Sequence, residues 1–182
     1  MNPINERDIG ALADAVRRRR QAFSSTTQIA ESLEQHAYRV AALVDDLAEG
    51  ESLNALDYMV LRVAAVLHDA ARPKSATPEA SALVAQEMLD GVGADDQFAS
   101  AVVQAVRRHA TGRFIDLDDA EPESEPQSWP ERLLSDACVI ATAEHAQDPA
   151  ALRDAGDTLH SATAHRIVAA LQESRERTVT PA

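Results

Sequence analysis

Five side chains in the 182-residue chain suggest chemistry rather than packing: His36, the adjacent pair His68-Asp69, His109 and Asp136. His36, His109 and Asp136 fall on helical stripes whose other members are apolar, and His68-Asp69 closes the apolar run AAVL. Burying such groups costs on the order of 1–3 kcal/mol for each polar group left without a partner, and more for a charge. A shared divalent cation would offset those costs together. Two imidazoles and two carboxylates form a mixed nitrogen and oxygen set that suits Mn, Fe, Co, Ni, Zn or Mg. Taken singly, the same residues also fit hydrogen-bonded interior histidines and solvated aspartates. Positive charge follows the pair directly, at Arg72 and at Lys74, the single lysine of the chain. Either cation could neutralise a substrate phosphate, and either could be simple exposed charge.

The elements that must carry these groups read as helices almost end to end. A first helix is expected over residues 7–23, with Ile9, Leu12, Val16 and Phe23 on one side. After the break at Ser24-Ser25-Thr26-Thr27, the second carries Ile29, Leu33, His36, Val40, Leu43 and Leu47 on one stripe, and Gly50 closes it. The third spans about 54–70 and ends before Arg72-Pro73, because proline disfavours helix in the preceding residue. Thr77-Pro78 opens the fourth as N-cap and first turn, and Gly91 and Gly93 break it. The fifth, about 96–110, aligns Phe98, Val102, Ala105 and His109. Ser128-x-x-Glu131 is a capping box that opens the sixth, on which Leu133, Asp136, Ala137 and Ile140 share a side. A final helical region from Asp148-Pro149 to about residue 176 is open to interruption at Gly156. The expected fold is an all-α single-domain bundle of six to seven helices, with a mobile acidic loop at 116–127.

Composition supports that reading and narrows the partners. The chain is 45% hydrophobic but only 3% aromatic, which favours closely packed helices over sheets. A net charge of −13 repels duplex nucleic acid unless basic residues gather on one face. The run Arg17–Arg20 is the only cluster, and four consecutive helical residues point around most of the circumference. It reads as a solvated helix face, and no nucleic-acid partner is expected. No apolar run approaches the roughly 18 residues that span a bilayer, and no secretory signal opens the chain. One cysteine, Cys138, fits a reducing compartment. The expectation is a cytoplasmic protein without a membrane partner; oligomeric state is open.

The order and flanks of the polar residues resemble a specific family. His36, then 31 residues, His68-Asp69, then 66 residues, Asp136 is similar to the H…HD…D signature of the HD-domain superfamily of metal-dependent phosphohydrolases. "HAYRVAALVDDLA" resembles that family's first metal helix, and "RVAAVLHD" its usual "AALLHD". The likeness covers about residues 29–145. It implies that His36, His68, Asp69 and Asp136 hold one divalent cation that activates water for phosphoester hydrolysis. It also implies a second task for Asp69 in orienting that water. His109 resembles a histidine that binds substrate phosphate, protonates the leaving oxygen or ligates a second metal in some members.

Departures from the pattern narrow the reading. The segment Ser75-Ala76-Thr77-Pro78-Glu79 lacks the histidine of two-metal members, unless Glu79 replaces it, and no glutamate follows the pair. His109 is therefore the best substitute for the missing acid, with Arg107, Arg108 and Arg113 as nearby positive charge. His145, His160 and His165 fall outside the pattern and read as surface residues. The expected function is hydrolysis of a phosphomonoester or phosphodiester of a small molecule, a nucleotide first among them. The alternatives are a di-iron oxygenase on the same fold, or a catalytically inactive nucleotide-binding regulatory module.

Overall fold

The computed structural model describes residues 4–23, 27–71, 77–109, 128–146 and 148–179, and every regular element among them is a helix. In chain order these are α1 Glu6–Phe23, α2 Thr27–Gly50, α3 Ala55–Leu67, α4 Pro78–Gly91, α5 Asp96–Arg108, α6 Trp129–His145, α7 Pro149–Gly156 and α8 Ala162–Val179. The all-α expectation holds. Arg72, Lys74, Arg113 and the acidic segment 116–127 lie outside the described residues. None of the described helices is long and apolar enough to cross a membrane.

The centre of the bundle is α3, which packs against α1, α2, α4, α5 and α6. Its sequence ALDYMVLRVAAVL buries Val60, Leu61, Val63, Ala64, Ala65 and Leu67, so residues on several sides of the helix are covered. Each fully buried leucine there contributes about 1.5–3 kcal/mol relative to leaving it exposed. Small residues at the contacts, including Ala82, Ala85, Ala105 and Ala137, let the neighbouring helices approach closely. The main apolar cluster runs from Ile9 on α1 to Val168 on α8, and Ala143, Leu152 and Ala155 form a smaller second one.

The ends of the helices follow local chemistry. Asn54, Thr77, Asp95, Ser128 and Asp148 each accept backbone N–H bonds in the first turn of the helix that follows. At α6 the capping-box residues Ser128 and Glu131 both take part. Ser128 Oγ accepts from the Glu131 N–H at 3.4 Å, while the Glu131 carboxylate pairs with Arg108. At the end of α2 the left-handed backbone falls on Ser52, with φ 54°, rather than on Gly50. Gly50 answers a different need. A Cβ there would overlap the buried side chain of Thr163, so the end of α2 packs on the start of α8 through that missing atom.

Among the described residues there is one more helix than the upper expectation, because the last helical region divides into α7 and α8. The break sits just beyond Gly156, and tertiary bonds hold it. Asp136 on α6 accepts the His160 and Ser161 N–H groups at 2.8 and 3.0 Å. Glu51 accepts from Thr163 at 2.8 Å, and Ser161 Oγ from Ala164 at 3.1 Å. The N–H groups that a helix start leaves unpaired are thus taken by side chains, two of them carboxylates suited to its positive end.

Candidate metal centre

Four helices deliver one cluster. His36 lies in the middle of α2, His68 caps the end of α3 with Asp69 next to it, His109 caps the end of α5, and Cys138 sits within α6. Because α3 touches α2, α5 and α6, its C-terminus brings these groups together. The His36 and His68 ring centroids are 5.5 Å apart, and those of His68 and His109 are 5.4 Å apart and edge-on. Donor atoms of His36, His68 and Cys138 all lie within 4.8 Å of one another.

The hydrogen bonds define which atoms face the cluster. His68 Nδ1 lies 2.7 Å from the Ala65 carbonyl and His109 Nδ1 lies 2.5 Å from the Val106 carbonyl. A carbonyl only accepts, so both Nδ1 atoms carry a proton and each ring is left with its Nε2 for the cluster. His68 Nε2 is buried without a partner. The same is true of Asp69 Oδ2, while Asp69 Oδ1 accepts from the Arg20 guanidinium. A buried polar atom without a partner is costly in a finished interior, and a cation among the donors of His36, His68 and Cys138, which lie within 4.8 Å of one another, would satisfy such an atom. The donor set therefore fits a divalent metal ion.

Charge reinforces the arrangement. Burial, with the neighbouring His68, holds His36 down to about 4, and burial and His68 do the same to His109, also to about 4. Both are neutral imidazoles at pH 7, as ligands must be. Burial raises the Asp69 carboxyl, but His68, Arg20 and His36 outweigh it and hold the group below the usual carboxylate range. Burial and Asp69 push the Cys138 thiol above its ordinary value. His109 thus offers a lone pair at neutral pH.

Asp136, expected as the fourth ligand, is placed elsewhere. It is fully buried, and its two oxygens accept the His160 and Ser161 amides. Burial raises its carboxyl, and those two amides and Ser161 pull the other way. Residues 136 and 138 stand about 200° apart around a helix, so α6 turns only one of them toward the cluster. That one is Cys138. The structure engages Asp136 at the start of α8 and sets Cys138, two residues on, beside His36 and His68.

Other expected groups separate cleanly. Arg107 forms a two-pronged pair with Glu79 at 2.7 and 3.3 Å, so the carboxylate considered as a replacement ligand is already engaged by α5. Arg108 pairs with Glu131. Of the run Arg17–Arg20, Arg17 meets Asp14 and Glu34 near the surface. Arg20 turns inward to Asp69 and keeps only 12% of its side chain exposed. The solvated-face expectation therefore fails at Arg20, the residue of the run that belongs to the site. His145, His160 and His165 are exposed as expected. His145 nevertheless lines a cleft of about 300 Å3 with Gln35, His36, Arg39, Ala141 and Glu144. Arg39 crosses it to Glu144 with bonds of 2.5 and 3.0 Å.

The HD domain family model matches residues 33–143, from the helix of His36 to the helix of Cys138. Among solved structures, the chain is similar to the crystal structure of a predicted HD superfamily hydrolase from an uncultured Thermotogales bacterium. The two share 22% identity and a TM-score of 0.63, over 93% of this chain and 90% of that one, which is a likeness of fold. No curated protein matches. With the family model covering more than half of the sequence, the chain belongs to the HD domain family.

Proposed function

We propose that the protein is a metal-dependent phosphohydrolase acting on a small phosphorylated molecule such as a nucleotide, with His36, His68 and Asp69 as ligands of one divalent cation. The observation that carries the proposal is the pair of buried, unpartnered polar atoms His68 Nε2 and Asp69 Oδ2, beside the neutral imidazoles of His36 and His109. When bound, the cation would neutralise charge on a phosphoryl oxygen and lower the pKa of water to make a nucleophile.

The residues of the chain divide the remaining work. Asp69, kept ionised and held through Oδ1 by Arg20, has one oxygen left to orient a water or a ligand. Arg20 brings positive charge to the same point, where it can meet a phosphoryl oxygen. Arg72 and Lys74 follow the pair in sequence and belong to the proposal as further phosphate contacts. His109 supplies an acceptor edge-on to His68. The cleft beside His36 is at the small end of ligand sites, in keeping with a small substrate. The description of the similar Thermotogales protein as a hydrolase agrees with the reaction class.

The test is phosphate release from a panel of nucleotides and sugar phosphates by the metal-loaded protein and its Asp69→Ala variant. Release by the wild type, cut at least 100-fold in the variant with helicity unchanged, is the expected outcome. Equal rates would remove Asp69 from the reaction. No release from any substrate, but thermal stabilisation by a nucleotide, would assign the site to binding instead.

A further inference from the structure

We propose that Cys138 is a ligand of the bound metal in this chain, in the place expected for Asp136, so that the site adds sulfur to its nitrogen and oxygen donors. The inference rests on the metal-site reading above and adds a donor that the H…HD…D pattern does not contain. Two donors sharing one cation stand roughly 3–4 Å apart, given metal–nitrogen bonds near 2.0 Å and metal–sulfur bonds near 2.3 Å. The His36, His68 and Cys138 donors already lie within 4.8 Å of one another, so side-chain rotation of about an ångström closes the set.

A cysteine alone would not make a site. Here a second observation points to the same place: His68 is only 3% exposed, its Nδ1 is committed to Ala65, and its Nε2 has no partner. Asp136 is committed as well, since withdrawing its carboxylate would strip the His160 and Ser161 amides at the start of α8. α6 therefore offers the cluster a sulfur where a carboxylate was expected. The consequence is a softer site, which favours zinc, iron or cobalt over magnesium and manganese.

Cobalt(II) is the probe, because thiolate bound to it gives a charge-transfer absorption in the near ultraviolet. Cys138 is the single cysteine of the chain, so such a band has one possible source. The cobalt-loaded protein is expected to show the band. Cys138→Ser is expected to lose it, while Cys138→Asp keeps bound cobalt without it. Cobalt bound at full stoichiometry with no band in the wild type would overturn the proposal and leave the metal site standing. Failure of the wild type to bind cobalt at all would overturn the metal-site reading itself. Should the variants fail to fold, alkylation of the wild-type thiol decides. Protection by cobalt supports ligation, and equal labelling with and without cobalt contradicts it.

Discussion

Asp136→Ala is expected to destabilise the metal-free protein by on the order of 3 kcal/mol or more, a large part of a typical domain's stability. The substitution leaves the His160 and Ser161 N–H groups without their acceptor inside a packed junction, at about 1–3 kcal/mol each. It also removes a negative charge from the positive end of α8 and opens a small cavity beneath it. Urea titration of the metal-free protein measures the loss, and amide exchange should show it first at residues 158–164. Asp136→Asn keeps one acceptor oxygen and should recover part of the stability. A residue whose task was to bind metal would behave in the opposite way. Removing it would relieve a buried charge, leave metal-free stability unchanged or improved, and abolish metal binding. That pattern would return Asp136 to the ligand set.

The metal-free protein is also expected to lose stability as pH falls from about 6.5 to about 4. The folded values of His36 and His109 are both about 4, against 6.5 for an ordinary histidine. Between those limits the unfolded chain binds a proton at each group and the folded chain does not, so acid favours unfolding. Stability contributed by the neutral imidazoles is whole above about 6.5 and is lost on the way down to 4. At about 1.4 kcal/mol per pH unit, each group contributes at most roughly 3 kcal/mol. Asp69 acts in the same direction at lower pH, since its carboxyl is held below the ordinary value and its contribution fades as that group protonates. Thermal melts at pH 7 and pH 4.5 test the expectation, and His109→Gln should flatten the difference by about half. Equal stability at the two pH values would mean that the imidazoles are not enclosed as described.

The contrast between what was legible and what was not follows the range of the interactions. Helices α1 to α6 were visible because their stripes and caps are local. Thr77 before Pro78, Ser128 before Trp129-Pro130 and Asp148 before Pro149 announce helix starts within a few residues. His36, His68, Asp69 and His109 were legible because a polar group on an apolar stripe is itself a signal, and the structure gathers all four. The division of α7 from α8 showed only as an interruption allowed at Gly156, since the group that fixes it, Asp136, lies 24 residues upstream of the amide it holds. Arg20 was hidden for the same reason. In a run of four arginines nothing local distinguishes the one that reaches Asp69, 49 residues away. Cys138 was passed over because the only chemistry considered for it was disulfide formation. A signal existed: it lies two residues from an expected ligand, on the opposite face of the same helix.

The most direct measurement is the metal content of protein purified without chelator or affinity tag, by inductively coupled plasma mass spectrometry. The account predicts a single divalent cation per chain, reduced to background by His68→Ala. Two irons per chain would contradict a mononuclear site and turn attention to oxygen chemistry. No bound metal, with none taken up on addition of zinc, iron or cobalt, would contradict the central claim that His36, His68 and Asp69 form a metal centre.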